Sequence, residues 1–194
     1  MYTEEQILEI FKEKEVLLTG HFRLTSGRHA GFYMQCAKIL QYPEVAGPFC
    51  AQLAGYFRDS GVTLVIGPAT GAIIIAYEAA RELGLKSIFA ERENGVMAIR
   101  RGFEIRPEDR VLVVEDVVTT GGSVKEVIEL VRQAGATVVG VGVLVDRSAG
   151  KTDFGVPLRS LLPLEIESFE AEDCPICKAG KLPLVKPGSR QVTP

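Results

Sequence analysis

The stretch VLVVEDVVTTGGS, residues 111–123, is the clearest indication of the fold in this sequence. It begins as a run of β-branched apolar residues, which is typical of a buried strand, and it ends in hydroxyl-bearing and glycine residues that lead directly into VKEVIELVRQAG. Glu115 and Asp116 lie where the strand meets this loop. Because burying charges without a ligand or a partner is costly, two adjacent acids at the end of a buried strand indicate a binding site.

The loop after the acids has the chemistry of a phosphate site. It lacks the Gly-Lys-Ser or Gly-Lys-Thr ending of a Walker loop and the GxGxxG spacing of a dinucleotide site. Its backbone N–H groups and hydroxyls, placed before the positive end of a helix dipole, can still surround one anion. A phosphate here, one turn after two carboxylates, suggests a phosphorylated sugar whose hydroxyls donate to the acids. The alternative is that the acids only cap or pair with a basic residue and the glycines only make a turn.

Composition places the chain among ordinary globular proteins. It has 194 residues, 46% hydrophobic and 24% charged, with a net charge of −3, which fits a single domain with a full core. Nucleic acid is therefore not an expected partner. No apolar run reaches the roughly 18 residues that span a bilayer, and the N-terminus is acidic and amphipathic. We expect a cytoplasmic protein with no membrane partner.

The surrounding sequence predicts an α/β fold with a doubly wound, mainly parallel sheet. Continuously apolar strands such as VTLVIGPATG and TVVGVGVLVDRS alternate with helical segments, which is typical of a parallel sheet covered on both faces. This core spans about residues 60–148 of a single domain, 1–194. A small N-terminal hood, mainly residues 1–42, opens with a helix and continues as short strands joined by a turn. The tail, about 170–194, is rich in proline, glycine and lysine and is expected to be irregular.

VLVVEDVVTTGGS resembles the signature of type I phosphoribosyltransferases. In that family the adjacent acids contact the ribose hydroxyls of 5-phosphoribosyl 1-diphosphate (PRPP), and the loop binds its 5-phosphate. GPATG, residues 67–71, is similar to the family's diphosphate loop. The resemblance implies the type I phosphoribosyltransferase fold and a set of PRPP-binding residues: Glu115, Asp116, Val117, Val118, Thr119, Thr120, Gly121, Gly122, Ser123, Ala69, Thr70 and Gly71.

Over nearly the whole chain the resemblance is to the orotate phosphoribosyltransferases, in a short bacterial form. FRLTSGRHAGFY, residues 22–33, is similar to the hood element that contacts orotate, and VDRS, 145–148, to the strand whose arginine faces the orotate carboxylate. An arginine fork matches a carboxylate. The orotate-binding residues implied are Thr25, Tyr33, Thr119 and Arg147, and the same hood turn contains Ser26, Gly27, Arg28 and Phe32. Two alternatives stay open: Arg147 could form a structural ion pair with Asp146, and His29 could be a solvated turn residue.

The implied activity is transfer of the 5-phosphoribosyl group from PRPP to orotate in UMP biosynthesis, with Mg²⁺ as cofactor and a homodimer as the assembly. Better-known members have lysines before the Ser-Gly turn, in the diphosphate loop and in a mobile catalytic loop that also holds a histidine. The corresponding stretch here, 91–105, has neither residue type, and its candidate catalytic residues are Arg92, Arg100 and Arg101, which could neutralise the diphosphate. A phosphoribosyltransferase for another base and a non-catalytic PRPP-sensing regulator are the alternatives.

The sequence CPIC, residues 174–177, has the spacing of half a zinc knuckle. A tetrahedral site needs two more ligands, and His21 and His29 are far away in sequence. Cys36 and Cys50, or the same pair from another subunit, could complete the site. An ordinary turn is preferred over a structural zinc at Cys174 and Cys177 and over a redox disulfide. The sequence identifies no other protein side chain as a metal ligand.

Overall fold

The computed structural model describes residues 1–24 and 26–187. The α-helices of this part are α1 (Glu4–Glu13), α2 (Pro43–Gly55), α3 (Ala72–Leu83), α4 (Gly122–Gln133) and α5 (Pro175–Ala179), with 3₁₀ turns at Cys36–Gln41 and Arg58–Ser60. The strands are β1 (Leu17–Arg23), β2 (His29–Met34), β3 (Leu64–Pro68), β4 (Lys86–Glu93), β5 (Val96–Ile99), β6 (Arg110–Val118), β7 (Thr137–Asp146), β8 (Leu158–Pro163) and β9 (Ser168–Phe169). No helix in these residues is long and apolar enough to cross a membrane.

A six-stranded sheet in the order β5-β4-β3-β6-β7-β8 forms the centre of the molecule. All neighbours pair in parallel except β5, which is antiparallel to β4 at one edge. Successive residues of β6 face opposite sides: Leu112 and Val114 pack with α2 and α3, whereas Val111 and Val113 pack with α4. The prediction of a doubly wound, mainly parallel sheet is confirmed.

The sheet extends beyond the predicted core of residues 60–148. β8 runs parallel to β7 and pairs Val141 with Leu158 and Val145 with Leu162. Its sequence, LRSLLP, is short, interrupted by two polar residues and closed by proline, so it carries the weak pattern of an edge strand. The single-sequence pattern therefore missed it.

β4 and β5 form a hairpin at one edge of the main sheet. β4 and β5 pair Glu93 with Val96, leaving Asn94 and Gly95 as a two-residue turn. Both turn residues have positive φ, 52° and 86°, which suits a type I′ hairpin and the Asn-Gly pair that favours it. The candidate catalytic stretch is thus an ordered hairpin at the sheet edge.

A second, three-stranded sheet in the order β1-β2-β9 forms the hood. α1 packs against both β1 and the main core: its Ile7 and Phe11 are buried in one cluster with Leu17 and Met34 of the hood strands, and the Phe11 and Phe49 rings lie 6.0 Å apart. The tail, predicted to be irregular from about residue 170, contains α5 in its described part, and Val185 forms a β-bridge with Phe22. The segment 168–185 therefore lies against the β1–β2 hairpin.

Candidate active site

The carboxyl ends of β3, β6 and β7 meet at one edge of the sheet, which is where open parallel sheets bind ligands. The diphosphate-type loop follows β3, the glycine-rich loop follows β6, and Arg147 follows β7. The Arg147 N–H donates to the Val118 carbonyl at 2.8 Å, so the arginine stands beside the start of the glycine-rich loop. The structure thereby brings three separate predicted segments to one place.

Glu115 and Asp116 are partly buried, and no cation lies within salt-bridge distance of either carboxylate among the described residues. Each accepts one local backbone hydrogen bond, from Asp116 N–H to Glu115 Oε1 (3.0 Å) and from Val117 N–H to Asp116 Oδ1 (2.6 Å). Burial, with the neighbouring Asp116 charge, raises the pKa of Glu115 to about 8. Burial also raises the pKa of Asp116. The acids are therefore not a structural ion pair with a basic residue, and they retain oxygens that can accept bonds from a ligand.

The loop after β3 is in direct contact with these acids. The Ala69–Thr70 peptide is cis, and the Ala69 N–H donates to the Ala90 carbonyl at 2.6 Å. A Cβ added at Gly71 would lie 2.9 Å from Asp116 Oδ2. Only glycine lets the loop backbone come this close, so the two predicted PRPP-binding segments form one continuous surface.

The glycine-rich loop wraps the start of α4. Gly121 has a φ of 74°, and a Cβ there would lie 2.7 Å from the Phe154 ring. The Thr152 hydroxyl donates to the Thr119 carbonyl at 3.2 Å. An open cleft of about 250 Å³ lies over the loop, lined by Glu115, Val117, Val118, Thr119, Thr120, Gly121, Gly122, Ser123, Val124, Arg92 and Glu126.

Thr152 and Phe154 contact this loop on the side away from the cleft. The sequence pattern does not predict this role. They follow the motif by about thirty residues, in a segment without periodicity, so no local signal marks them. The first turn of α4 also leaves its backbone N–H groups free toward the cleft, which favours an anion.

Arg147 lines a second cavity of about 530 Å³, which shares Thr119 and Thr120 with the first cleft. Its Nε is buried without a hydrogen-bond partner. Asp146 does not pair with it: Asp146 Oδ1 accepts from the Ser148 N–H at 2.8 Å, and no carboxylate of the described chain lies within salt-bridge distance of Arg147. The structural ion pair with Asp146 is therefore wrong, and the guanidinium has unused donors.

The surroundings of Arg147 are suited to an anion. Burial lowers its pKa, and the nearby Cys36 and Tyr33 side chains act in the opposite direction, which places Tyr33 of the hood near the guanidinium. Lys125 and Lys151 line the same cavity. The sequence pattern does not predict that these two lysines belong to the site.

The hood residues separate into two groups. The Tyr33 hydroxyl donates to Gln35 Oε1 (3.0 Å), whereas Arg28 pairs with Glu170 and donates from Nε to the Ser168 hydroxyl (2.9 Å). Arg28 thus holds β9 rather than a ligand. His29 is 5% exposed, so its interpretation as a solvated turn residue is wrong. Thr25, a predicted orotate contact, lies outside the described residues.

The three candidate catalytic arginines are not equivalent. Arg92 lines the cleft, donating to Glu126 Oε1 (2.9 Å) and to the Gly95 carbonyl (2.7 Å). Arg101 forms a bidentate pair with Glu91 (2.8 and 3.0 Å), and Arg100 pairs with Glu93 at 3.1 Å. The structure brings Arg92 to the site and leaves the other two on the hairpin.

Comparison with known proteins identifies relatives along nearly the whole chain. Residues 49–154 match the family model described as a phosphoribosyl transferase domain. The chain is 59% identical, over 97% of its length and 99% of the relative's, to an orotate phosphoribosyltransferase of Caldanaerobacter subterraneus subsp. tengcongensis. It is 57% identical, over 98% and 100%, to one of Pelotomaculum thermopropionicum. The crystal structure of the orotate phosphoribosyltransferase from Aeropyrum pernix is similar with a TM-score of 0.69 at 29% identity, covering 81% of this chain and 93% of that one.

Proposed function

The chain belongs to the orotate phosphoribosyltransferase family of pyrimidine-biosynthesis enzymes, and we propose that it transfers the 5-phosphoribosyl group of PRPP to orotate. One observation carries this proposal: within the described residues the carboxylates of Glu115 and Asp116 have no basic partner and lie beside a phosphate-type loop, and an arginine with unused donors follows the neighbouring strand. The products are orotidine 5′-monophosphate and diphosphate.

PRPP would lie along the edge formed by the acids and the two loops. Glu115 and Asp116 accept hydrogen bonds from vicinal ribose hydroxyls, and the loop 119–123 surrounds the 5-phosphate with N–H groups, hydroxyls and the α4 dipole. The backbone of the loop 69–71 faces the diphosphate. The Gly71 backbone lies next to Asp116, so we expect the diphosphate to bind close to the acid pair, with the anomeric carbon between them.

Orotate would lie against Arg147. Its carboxylate accepts two bonds from the guanidinium fork, with Thr119 and Tyr33 on either side. A ring nitrogen attacks the anomeric carbon, a C–N bond forms, and the C–O bond to diphosphate breaks with its electron pair. Ionised orotate is already a nucleophile, so no protein base is required, and catalysis rests on positioning and charge stabilisation.

Magnesium is compatible with this donor set. Glu115 and Asp116 supply hard oxygen atoms, and Mg²⁺ is held largely by substrate oxygens and water. When bound with PRPP, it neutralises charge on the diphosphate. A homodimer, which the family resemblance implies, stays a prediction that light scattering of the purified chain would check.

The first test is orotate consumption, followed by ultraviolet absorbance. We expect orotate to disappear only when PRPP and Mg²⁺ are both supplied, with diphosphate released in equal amount. Omitting each in turn provides the controls. Tight PRPP binding without turnover would contradict the proposal and favour another base or a regulatory role.

Replacing Arg92 by alanine is expected to lower kcat/KM for PRPP about 10- to 100-fold, because a charge-assisted contact is worth about 1.5–3 kcal/mol. Arg58→Ala is the matched control, since Arg58 forms a similar exposed pair with Glu82 (2.7 Å) away from the site. Steady-state kinetics of both variants, with Arg100→Ala and Arg101→Ala in the same series, would measure each contribution. An Arg92→Ala enzyme as active as Arg58→Ala would remove Arg92 from the mechanism.

A further inference from the structure

Four metal-binding side chains meet where the tail lies against the hood. His21 is on β1, His29 is on β2, and Cys174 and Cys177 bracket the first turn of α5. Their ligand atoms all lie within 4.8 Å of one another. His21, His29 and Cys174 are buried and Cys177 is exposed. The two cysteines and the two histidines, separated by about 150 residues, thus form one compact set.

Four of the six separations among these atoms lie close to those of a tetrahedron around one zinc ion. With Zn–N of about 2.0–2.1 Å and Zn–S of about 2.3 Å, tetrahedral geometry requires N···N near 3.3 Å and N···S near 3.6 Å. His21 Nε2 lies 3.3 Å from His29 Nδ1, and 3.5 Å from the sulfur atoms of both Cys174 and Cys177. His29 Nδ1 lies 3.2 Å from Cys177 Sγ.

Hydrogen bonding alone does not account for this arrangement. His21 Nε2 is close to three other donor or acceptor atoms, but one imidazole nitrogen carries either one hydrogen or one lone pair. The other ring nitrogen of His21 lies 3.3 Å from the Leu182 carbonyl, to which Nδ1–H can donate. That bond leaves the lone pair on Nε2 directed at the cluster, and a metal-binding histidine is usually oriented in this way by a hydrogen bond from its other ring nitrogen.

The remaining cysteines lie elsewhere. Cys36 and Cys50 are fully buried free thiols, and burial raises the pKa of Cys36 and raises that of Cys50 to about 12. Cys36 and Cys50, one of the pairs that could have completed the site, lie outside this cluster, and the structure brings His21 and His29 to the CPIC cysteines instead. Cys174 and Cys177 are also free.

We propose that His21, His29, Cys174 and Cys177 bind a structural Zn²⁺ ion. Two thiolates and two imidazoles in a tetrahedron are a donor set that selects zinc. The close approaches of His21 to both cysteines and of His29 to Cys177 fit one ion, rather than a two-iron cluster that would separate the pairs. Since the protein fills all four positions, the ion is structural and not catalytic.

The ion would connect the tail to the hairpin of β1 and β2, which carries the turn proposed to contact orotate. His21 and His29 stand on the two strands that flank residues 24–28. On the tail side, the Val185 N–H donates to the His21 carbonyl (2.9 Å) and the Arg23 N–H to the Val185 carbonyl (2.8 Å). Zinc binding therefore orders residues 174–185 and the hood turn together.

The test is the metal content of the full chain, purified without chelator and measured by inductively coupled plasma mass spectrometry. We expect about one zinc per chain, falling below about a tenth in Cys177→Ser and Cys174→Ser, because a structural site needs its complete ligand set. Cys50→Ala is the matched control, a cysteine outside the cluster, and should keep its zinc. Cobalt exchanged into the site should give the intense visible absorption of a tetrahedral thiolate complex.

Two outcomes would overturn the proposal. One is a wild-type chain that contains no zinc as purified and takes up none when Zn²⁺ is added to the reduced protein. The other is zinc that stays bound at full stoichiometry in Cys174→Ser and Cys177→Ser. The first outcome is measured on the wild-type chain alone. The proposal can therefore be tested even if a cysteine variant fails to fold. Orotate turnover is a separate measurement, so the two proposals can fail independently.

Discussion

Replacing Asp116 by asparagine is expected to lower kcat/KM for PRPP by about 10² to 10³ and to raise the stability of the ligand-free protein at pH 8. The loss follows from two charge-assisted acceptor bonds to ribose hydroxyls, each weakened by about 1.5–2 kcal/mol. The gain follows because the two acids repel each other in a partly buried position, with no basic partner among the described residues. The variant should therefore be more stable and less active.

Glu115 makes the stability of the ligand-free protein depend on pH. The pKa of Glu115 is raised in the folded protein to about 8, above its ordinary value of 4.5, so the unfolded chain loses this proton first. Between those two pH values the folded state binds more protons than the unfolded state, and ligand-free stability falls as pH rises. Below this window both states are protonated and the effect vanishes. In Glu115→Gln this part of the pH dependence should be absent.

Thermal melts of the ligand-free wild type, Asp116→Asn and Glu115→Gln across this pH range, together with PRPP kinetics, make the measurement. Asp59→Asn is the matched control, because Asp59 is exposed and away from the site. A variant that is both inactive and less stable than wild type at pH 8 would show that the acids are structural.

The sequence predicted the parts of the site that are continuous along the chain. Residues 111–123 carry strand, acids, loop and helix start in one stretch, so local chemistry was sufficient to identify them. Arg147 was less certain, because a neighbouring Asp146 offered an ion pair. Only the structure shows that Asp146 is occupied by the Ser148 N–H.

What the sequence could not predict depends on long-range contacts. Phe154 packs behind Gly121, and the histidines of β1 and β2 meet cysteines about 150 residues later. Because His21 and His29 are so far from the CPIC pair in sequence, they could not be recognised as its partners. The pairing of β1 and β2 brings the two histidines together.

Arg147 is expected to control the choice of base. Arg147→Gln should raise KM for orotate about 100-fold, because it removes a bidentate charge-assisted contact worth about 3 kcal/mol, while KM for PRPP changes little. Arg147→Lys should rescue this only in part, since an ammonium lacks the planar fork. The ligand-free melting temperature should not fall, because the substitution removes a buried Nε that has no partner.

Uracil, which lacks the carboxylate of orotate, separates recognition from general damage. Wild type should strongly prefer orotate, whereas Arg147→Gln should lose most of that preference by losing orotate activity and leaving the slow uracil reaction nearly unchanged. Arg159→Gln is the matched control, an exposed arginine on β8. Equal losses for both bases would mean that Arg147 supports the site without reading the carboxylate, and the base-binding role would then belong to Lys125 or Lys151, which line the same cavity.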